Sequence, residues 1–319
     1  MKAVFLDFDT VNADDDMDTS ALQALEKVDW SFFGATSPDE VAGRLQGCAV
    51  AVVNKVVLNA EALTAASDTL RLVVIAATGT NNIDLEAARR LGISVCNARD
   101  YSTPAVVQHV YALILALTTQ LPHYLDAVAS GRWQRHPQFC ILDYPIRELA
   151  GRNLGIIGYG ALGRGVAEIA PAFGMNVLIS ARPGSEATDD RVPLEQVLRR
   201  ADILSLHCPL TETTRNLIGA SELALMKPDA LLINTARGGI VDETALVSAL
   251  RTGEIGGAGF DVLIEEPPAN GNVLLDAGLP NLIVTPHIAW ASRESRQRVV
   301  DIVARNIAAW AGGKPVNVV

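Results

Sequence analysis

The chain has 319 residues, more than one ordinary hydrophobic core holds, so two domains are the default expectation. Apolar residues make up 49% of it and charged residues 19%, which supplies ample core, while 26 basic against 36 acidic side chains give a net charge of -10. That balance provides no broad basic face and argues against nucleic acid as a partner.

The N-terminus begins at once with a strand-like run at residues 2–8, with neither the basic nor the apolar region of an export signal. Apolar strand runs recur at 48–53, 72–76 and 94–96, separated by helical stretches such as 20–28 and 85–91. Alternation of that kind predicts a parallel sheet. Pro104 opens a long apolar segment at 105–119, suitably placed for a first helical turn, and Pro122 lies beyond its end. This helix is too apolar to face water and too short to cross a bilayer. It is expected to meet another domain or a second copy of the chain, giving a homodimer; packing inside its own domain is the alternative. Cys48, Cys96, Cys140 and Cys208 are scattered without a CxxC pair, so neither a zinc site nor a disulfide framework is expected. A cytoplasmic location without a membrane partner fits best.

Residues 154–157 form a further apolar run. Gly158, Tyr159, Gly160, Ala161, Leu162 and Gly163 follow it, before a helical pattern at 165–173 that Gly174 stops. Glycines at this spacing on a strand-to-helix turn have a physical purpose. The first permits the tight turn, the second lets the backbone approach a pyrophosphate, and the third lets helix and strand pack closely. The helix N-terminus adds free N–H groups for the phosphates, so a bound dinucleotide is expected here.

The next strand is expected at 176–180, and at its end the chain reads Ser180, Ala181, Arg182. An NAD site places an acid there for the ribose hydroxyls; Ala181 takes that position, and Arg182 offers a partner for a 2′-phosphate. NADP(H) is therefore favoured over NAD(H), although Glu186 is near enough in sequence to replace the missing acid.

Strand runs at 203–207, 230–234, 258–262 and 282–285 continue the alternation, so a second doubly wound sheet follows the first. Residues 293–310 form a helical pattern with Val299, Ile302, Val303, Asn306 and Ile307 along it, free to return to the first domain. The expected fold class is α/β with two doubly wound parallel-sheet domains. Their boundaries are 1–100 with 290–319 for one, and 101–289 for the dinucleotide-binding one. No low-complexity segment or repeat of solenoid period interrupts this order.

A hydride-transfer enzyme needs a group for the substrate carboxylate, a proton donor for the oxygen, and something that tunes that donor. Asn234, Thr235, Ala236, Arg237, Gly238 and Gly239 present Arg237 in a loop at a strand's carboxyl end, where ligands bind in open α/β sheets. Its planar fork suits a carboxylate, while a surface ion pair is the alternative reading. Asp261 begins a segment after another strand, and Thr285, Pro286 and His287 follow the next. Imidazole trades protons near neutrality, and a nearby carboxylate favours its charged form; a structural histidine is the competing reading. Of the other histidines, His109 belongs to the apolar helix, His123 and His136 lie in loop-like stretches, and His207 ends a strand beside Pro209, lining the cofactor cleft.

Jointly, Gly79, Thr80, Asn81, Asn82, Ile83 and Asp84, the glycine turn, residues 234–238, residues 261–267 and residues 286–288 resemble the D-isomer-specific 2-hydroxyacid dehydrogenases over nearly the whole chain. In that family the glycine-turn domain is inserted mid-chain. The resemblance thus implies a Rossmann cofactor domain inserted into a flavodoxin-like substrate domain. It implies that Arg237 binds the substrate carboxylate and carbonyl, that His287 is the acid/base, and that Glu266 rather than Glu265 holds His287 and favours its protonated form. The backbone around Thr78, Gly79 and Thr80 would grip the carboxylate, with Asn54 and Lys55 also on the substrate side. Asp261 would receive the nicotinamide carboxamide, and Thr103 and Val106 would lie beside the cofactor ring. His207, Pro209, Thr235 and Ala236 would complete the cofactor site with Gly158, Gly160, Ala161, Leu162, Gly163, Ala181 and Arg182.

Residues 54–58, 107–109 and 287–291 look most like glycerate dehydrogenases, also called hydroxypyruvate (glyoxylate) reductases. The implied reaction is reduction of a small 2-oxo acid to the D-2-hydroxy acid. The phosphoglycerate branch often carries an added regulatory domain, so a phosphorylated substrate is disfavoured. Two rival classes stand beside this reading. Phe5, Leu6, Asp7, Phe8 and Asp9 resemble the nucleophile motif of haloacid-dehalogenase-type phosphatases, which would leave the glycine turn and Arg237, Glu266 and His287 without purpose. Some relatives of the dehydrogenases act as dinucleotide-sensing corepressors, against which the retained catalytic set argues.

Overall fold

The computed structural model describes residues 1–182 and 190–319. They divide into two compact units, Met1–Ser102 with Trp290–Val319, and Thr103–Ala289.

In the first unit, strands β1 (Lys2–Phe5), β2 (Asp29–Phe32), β3 (Val50–Val53), β4 (Leu72–Ile75) and β5 (Ser94–Cys96) pair in parallel in the order β2-β1-β3-β4-β5. This is a doubly wound order with its switch point between β1 and β3. Central strands β3 and β4 read as unbroken apolar runs because both of their faces are covered. Val50, Val52, Leu72 and Val74 pack with Val299, Val303 and Ile307 of the helix Arg293–Ala311. Ala51, Val53, Val73 and Ile75 pack with Leu63 and Ala87 from helices Ala60–Ala66 and Leu85–Arg90 on the other side. The C-terminal helix thus returns because one face of this sheet lacks a cover without it.

Three local expectations need correction. β1 ends at Phe5, and Phe8–Thr10 forms a 3-10 turn. The helix expected at 20–28 covers only Ser20–Gln23. β2 has no counterpart among the expected strands, since an edge strand reading Asp29, Trp30, Ser31, Phe32, with no residue fully buried, leaves no apolar run to detect.

In the second unit, β6 (Asn153–Ile157), β7 (Asn176–Ile179), β8 (Ile203–Leu206), β9 (Leu231–Asn234), β10 (Gly257–Phe260) and β11 (Leu282–Val284) are all parallel. Their order is β11-β10-β9-β8-β6-β7. A parallel bridge from Ser180 to Val192 adds one more position outside β7. Counted from that edge, the third, second, first and fourth strands lie side by side, which is the Rossmann arrangement, reversing between β6 and β8.

The apolar helix Thr103–Thr118 lies against β9 and β10, with Val110, Leu113, Ile114 and Leu117 buried. It packs inside its own unit, as the alternative reading of that face has it. Pro122 opens a second helix, Leu121–Ala129, rather than marking a loop, and His123 is therefore helical. The two helices are bent by 64°, and among the described residues no single helix is long and apolar enough to cross a membrane. The exposed large apolar side chains of this region sit further on, with Leu125 60%, Phe139 90% and Leu142 78% exposed.

Candidate active site

The glycine turn closes β6 onto the helix Ala161–Ile169, whose N-cap is Gly160. Gly158 has φ 93°, and a side chain there would meet the backbone of His207 and Cys208 at 2.5 Å. A Cβ on Gly163 would stand 2.1 Å from the Gly158 carbonyl oxygen, so strand and helix approach as the motif requires. Beside Gly160 there is open space within 4 Å, which leaves the helix N-terminus accessible to a ligand.

At the carboxyl ends of β8 and β9, two buried polar atoms, His207 Nδ1 and Thr235 Oγ1, have no hydrogen-bond partner among the described residues. Orphaned groups of this kind cost stability unless a ligand pairs them, and they stand where a Rossmann sheet takes its dinucleotide. His207 Nε2 lies 2.9 Å from Ser205 Oγ. Burial lowers the pKa of this histidine to about 4, so the ring meets a ligand uncharged. The residues present therefore fit a nicotinamide dinucleotide. Ala181 is buried at the end of β7, Arg182 is exposed, and Glu186 lies outside the described residues. Cys208 and Ala236 are buried and Pro209 is exposed. Val106 is buried, and Thr103 packs near Gly165 on the glycine-turn helix.

Arg237 is half-buried in the loop after β9. The Asn234 side chain shapes that loop by accepting the Ala236 N–H at 3.0 Å and donating to the Arg237 carbonyl at 2.9 Å. The loop after β10 comes close to it, because a Cβ on Gly238 would fall 1.9 Å from the Leu263 carbonyl oxygen. Glu266 turns back within its own loop, where Oε1 accepts the Leu263 N–H at 2.7 Å. Its Oε2 stands 2.6 Å from His287 Nδ1. The carboxylate can only accept, so Nδ1 donates, which fixes the tautomer and leaves Nε2 for proton exchange. Both side chains keep solvent access, at 27% for His287 and 33% for Glu266. Glu265 instead accepts from Asn270 at 3.3 Å, away from the histidine.

Asp261 does something the sequence did not indicate. It is 1% exposed, and its carboxylate accepts Thr285 Oγ1 at 2.5 Å and the N–H groups of Ile288 at 2.9 Å and Ala289 at 2.8 Å. These three bonds hold the loop that carries His287. His109 joins the same cluster through Thr285 Oγ1 at 3.0 Å.

A buried carboxylate plays a similar part in the first unit. Asp7 is 3% exposed and accepts the N–H groups of Asn54, Lys55 and Val56 at 2.8, 2.6 and 2.9 Å. Its carboxylate fills the anion slot at the β1–β3 switch point, which removes it as a phosphatase nucleophile. Asn54 is likewise 3% exposed, with Nδ2 donating to Thr10 Oγ1; Lys55 is exposed. Thr78 is exposed, with Oγ1 donating to the Ala98 carbonyl, and Gly79 and Thr80 are half-buried. Asn82 ties this loop to the preceding one through the Val56 carbonyl at 2.9 Å.

Residues 111–289 match the family model described as D-isomer specific 2-hydroxyacid dehydrogenase, NAD binding domain. The chain is 50% identical over 284 residues to a glycerate dehydrogenase of Methylorubrum extorquens, covering 89% of each. It is 37% identical over 324 aligned positions to a hydroxypyruvate reductase of Blautia hydrogenotrophica, covering 100% of this chain and 99% of that one. Among solved structures, an acyclic imino acid reductase in complex with NADPH and D-Arg matches with a TM-score of 0.86 at 30% identity, over 100% of both chains. With the glycine turn, the Glu266–His287 pair and these relatives in agreement, the chain belongs to the D-isomer-specific 2-hydroxyacid dehydrogenases and is a nicotinamide-dependent oxidoreductase.

Proposed function

We propose that this enzyme reduces hydroxypyruvate or glyoxylate to the D-2-hydroxy acid, using NADP(H) in preference to NAD(H). The observation that carries the reading is the hydrogen bond between Glu266 and His287, and the names of the two relatives narrow the substrate class. When bound, the nicotinamide supplies the hydride for the carbonyl carbon. Arg237 holds the substrate carboxylate with its planar fork and steadies charge developing on the carbonyl oxygen. His287 donates a proton from Nε2 to that oxygen during reduction and takes it back during oxidation. Glu266 keeps the ring oriented and balances the positive charge of its protonated form. Lys55 and the backbone at Thr78, Gly79 and Thr80 keep the substrate role that the family resemblance implies.

The cofactor preference rests on Ala181, which offers no carboxylate to the ribose, and on the exposed Arg182. A homodimer in the cytoplasm belongs to the same proposal, with the pairing surface moved from the buried helix to the exposed apolar side chains near Phe139. Steady-state kinetics with hydroxypyruvate, glyoxylate and pyruvate, each with NADPH and NADH, test the reading. Turnover of the first two with NADPH is expected, and Arg182→Ala should weaken NADPH about tenfold while sparing NADH. No turnover of hydroxypyruvate or glyoxylate with either cofactor would overturn the substrate assignment. A preference for NADH would return the ribose role to an acid such as Glu186.

A further inference from the structure

Glu243 opens the helix Glu243–Thr252 directly after its N-cap, Asp242, and is only 3% exposed. A first-turn acid commonly serves the helix dipole, but that role needs no burial, and Asp242 already caps this helix through the Ala245 N–H. Both oxygens of Glu243 turn instead to the loop after β10. Oε1 accepts the Ile264 N–H at 2.9 Å, and Oε2 accepts Asn272 Nδ2 at 2.7 Å. The neighbouring N–H, that of Leu263, is the one that Glu266 Oε1 takes at 2.7 Å. Two successive peptide N–H groups are thus held by two carboxylates, one from the helix and one from the catalytic pair. The Leu263 carbonyl, between them in the chain, is the atom against which Gly238 packs, next to Arg237.

We infer that Glu243 is a positioning residue for the hydride-transfer reaction. By anchoring the segment at Leu263 and Ile264, it sets the Glu266 carboxylate toward His287 Nδ1 and keeps this loop in register with the Arg237 loop. The inference rests on the roles given above to Glu266 and His287.

The donor arrangement makes the test specific. Ile264 N–H and Asn272 Nδ2 both donate, whereas a glutamine in place of Glu243 has one acceptor and one donor end, so one tether must break. Asn272 cannot turn its amide to compensate, because its Oδ1 accepts the Leu274 N–H at 2.8 Å. Asn272→Asp on that background supplies an acceptor for the new amide while still capping Leu274, and so restores both tethers.

The experiment compares wild type, E243Q, N272D, the E243Q/N272D pair and E266Q. It measures the pH profile of kcat for reduction, the dissociation constant of NADPH by fluorescence, and the melting temperature. E243Q is expected to lower kcat about tenfold and to move the alkaline limb of the profile to lower pH, in the direction of E266Q and by less. NADPH affinity should stay within about twofold, since the glycine turn is untouched, and the pair should recover most of kcat and the limb. A limb left in place by E243Q while E266Q moves it overturns the positioning role and leaves the Glu266–His287 reading intact. A limb unmoved by E266Q overturns both. Loss in E243Q that the pair does not recover also overturns the inference, since it would then reflect general damage. If E243Q does not fold, N272D sets two carboxylates against each other at the same tether, and its limb should move to lower pH and return in the pair; a limb that N272D leaves in place overturns the inference.

Discussion

The carboxylate of Asp261 accepts the backbone N–H of Ile288 at 2.9 Å, and this bond, with a second from Ala289, holds the preceding residue His287 at φ 55°. A side chain other than glycine in that left-handed region costs on the order of 1–3 kcal/mol, which the surroundings must offset. Asp261→Asn keeps the volume but offers one acceptor oxygen to three donors. It is expected to remove about 2 kcal/mol of stability by urea unfolding and to lower kcat roughly tenfold to a hundredfold. Full activity in a destabilised variant would reduce Asp261 to a packing role.

His287→Gln tests the proton donor itself. Reduction should lose about 10²- to 10⁴-fold in kcat, with little change in KM for the oxo acid, and the alkaline limb of the rate profile should vanish. A variant that loses KM instead would place His287 in substrate binding.

His207 makes stability depend on pH in a defined window. In the unfolded chain imidazole titrates near its ordinary value of about 6.5, whereas burial brings it to about 4 in the fold. Between those values only the unfolded chain takes the proton. The stability linked to this group is therefore complete above the unfolded value and falls as pH drops toward the folded one. Going from about pH 7 to about pH 5, wild type should lose about 2 kcal/mol more than His207→Asn. Parallel urea curves for the two proteins at both pH values check this, and equal losses would refute it.

Phe139 and Leu142 are the most exposed of the large apolar side chains, and proteins rarely leave such patches uncovered. The Phe139→Asp/Leu142→Asp variant is expected to run as a monomer on size exclusion with light scattering, against a dimeric wild type. An unchanged mass for the double variant would place the pairing surface elsewhere on the chain.

The unevenness of what the sequence reveals has a physical pattern. Val50–Val53 and Leu72–Ile75 announce themselves because strands covered on both faces must be apolar throughout. Asp29–Phe32 stays hidden because an edge strand with one partner is free to be polar. The helix Thr103–Thr118 reads correctly as buried, but what covers it stays hidden, since an apolar face has the same composition whether it meets β9 and β10 or another chain.

The sequence alone determined the alternating α/β order, the dinucleotide turn, and the residue types of Arg237, Glu266 and His287, because each requires a local pattern or a chemistry no other side chain supplies. Only the tertiary structure decided what the other carboxylates do. Asp7, Glu243, Asp261 and Glu266 look alike as letters, yet Asp7, Glu243 and Asp261 are buried against backbone N–H groups, and Glu266 alone of the four reaches the His287 imidazole. The donors that claim each oxygen come from segments up to 49 residues away, and that pairing exists only once the sheets have brought strand ends together.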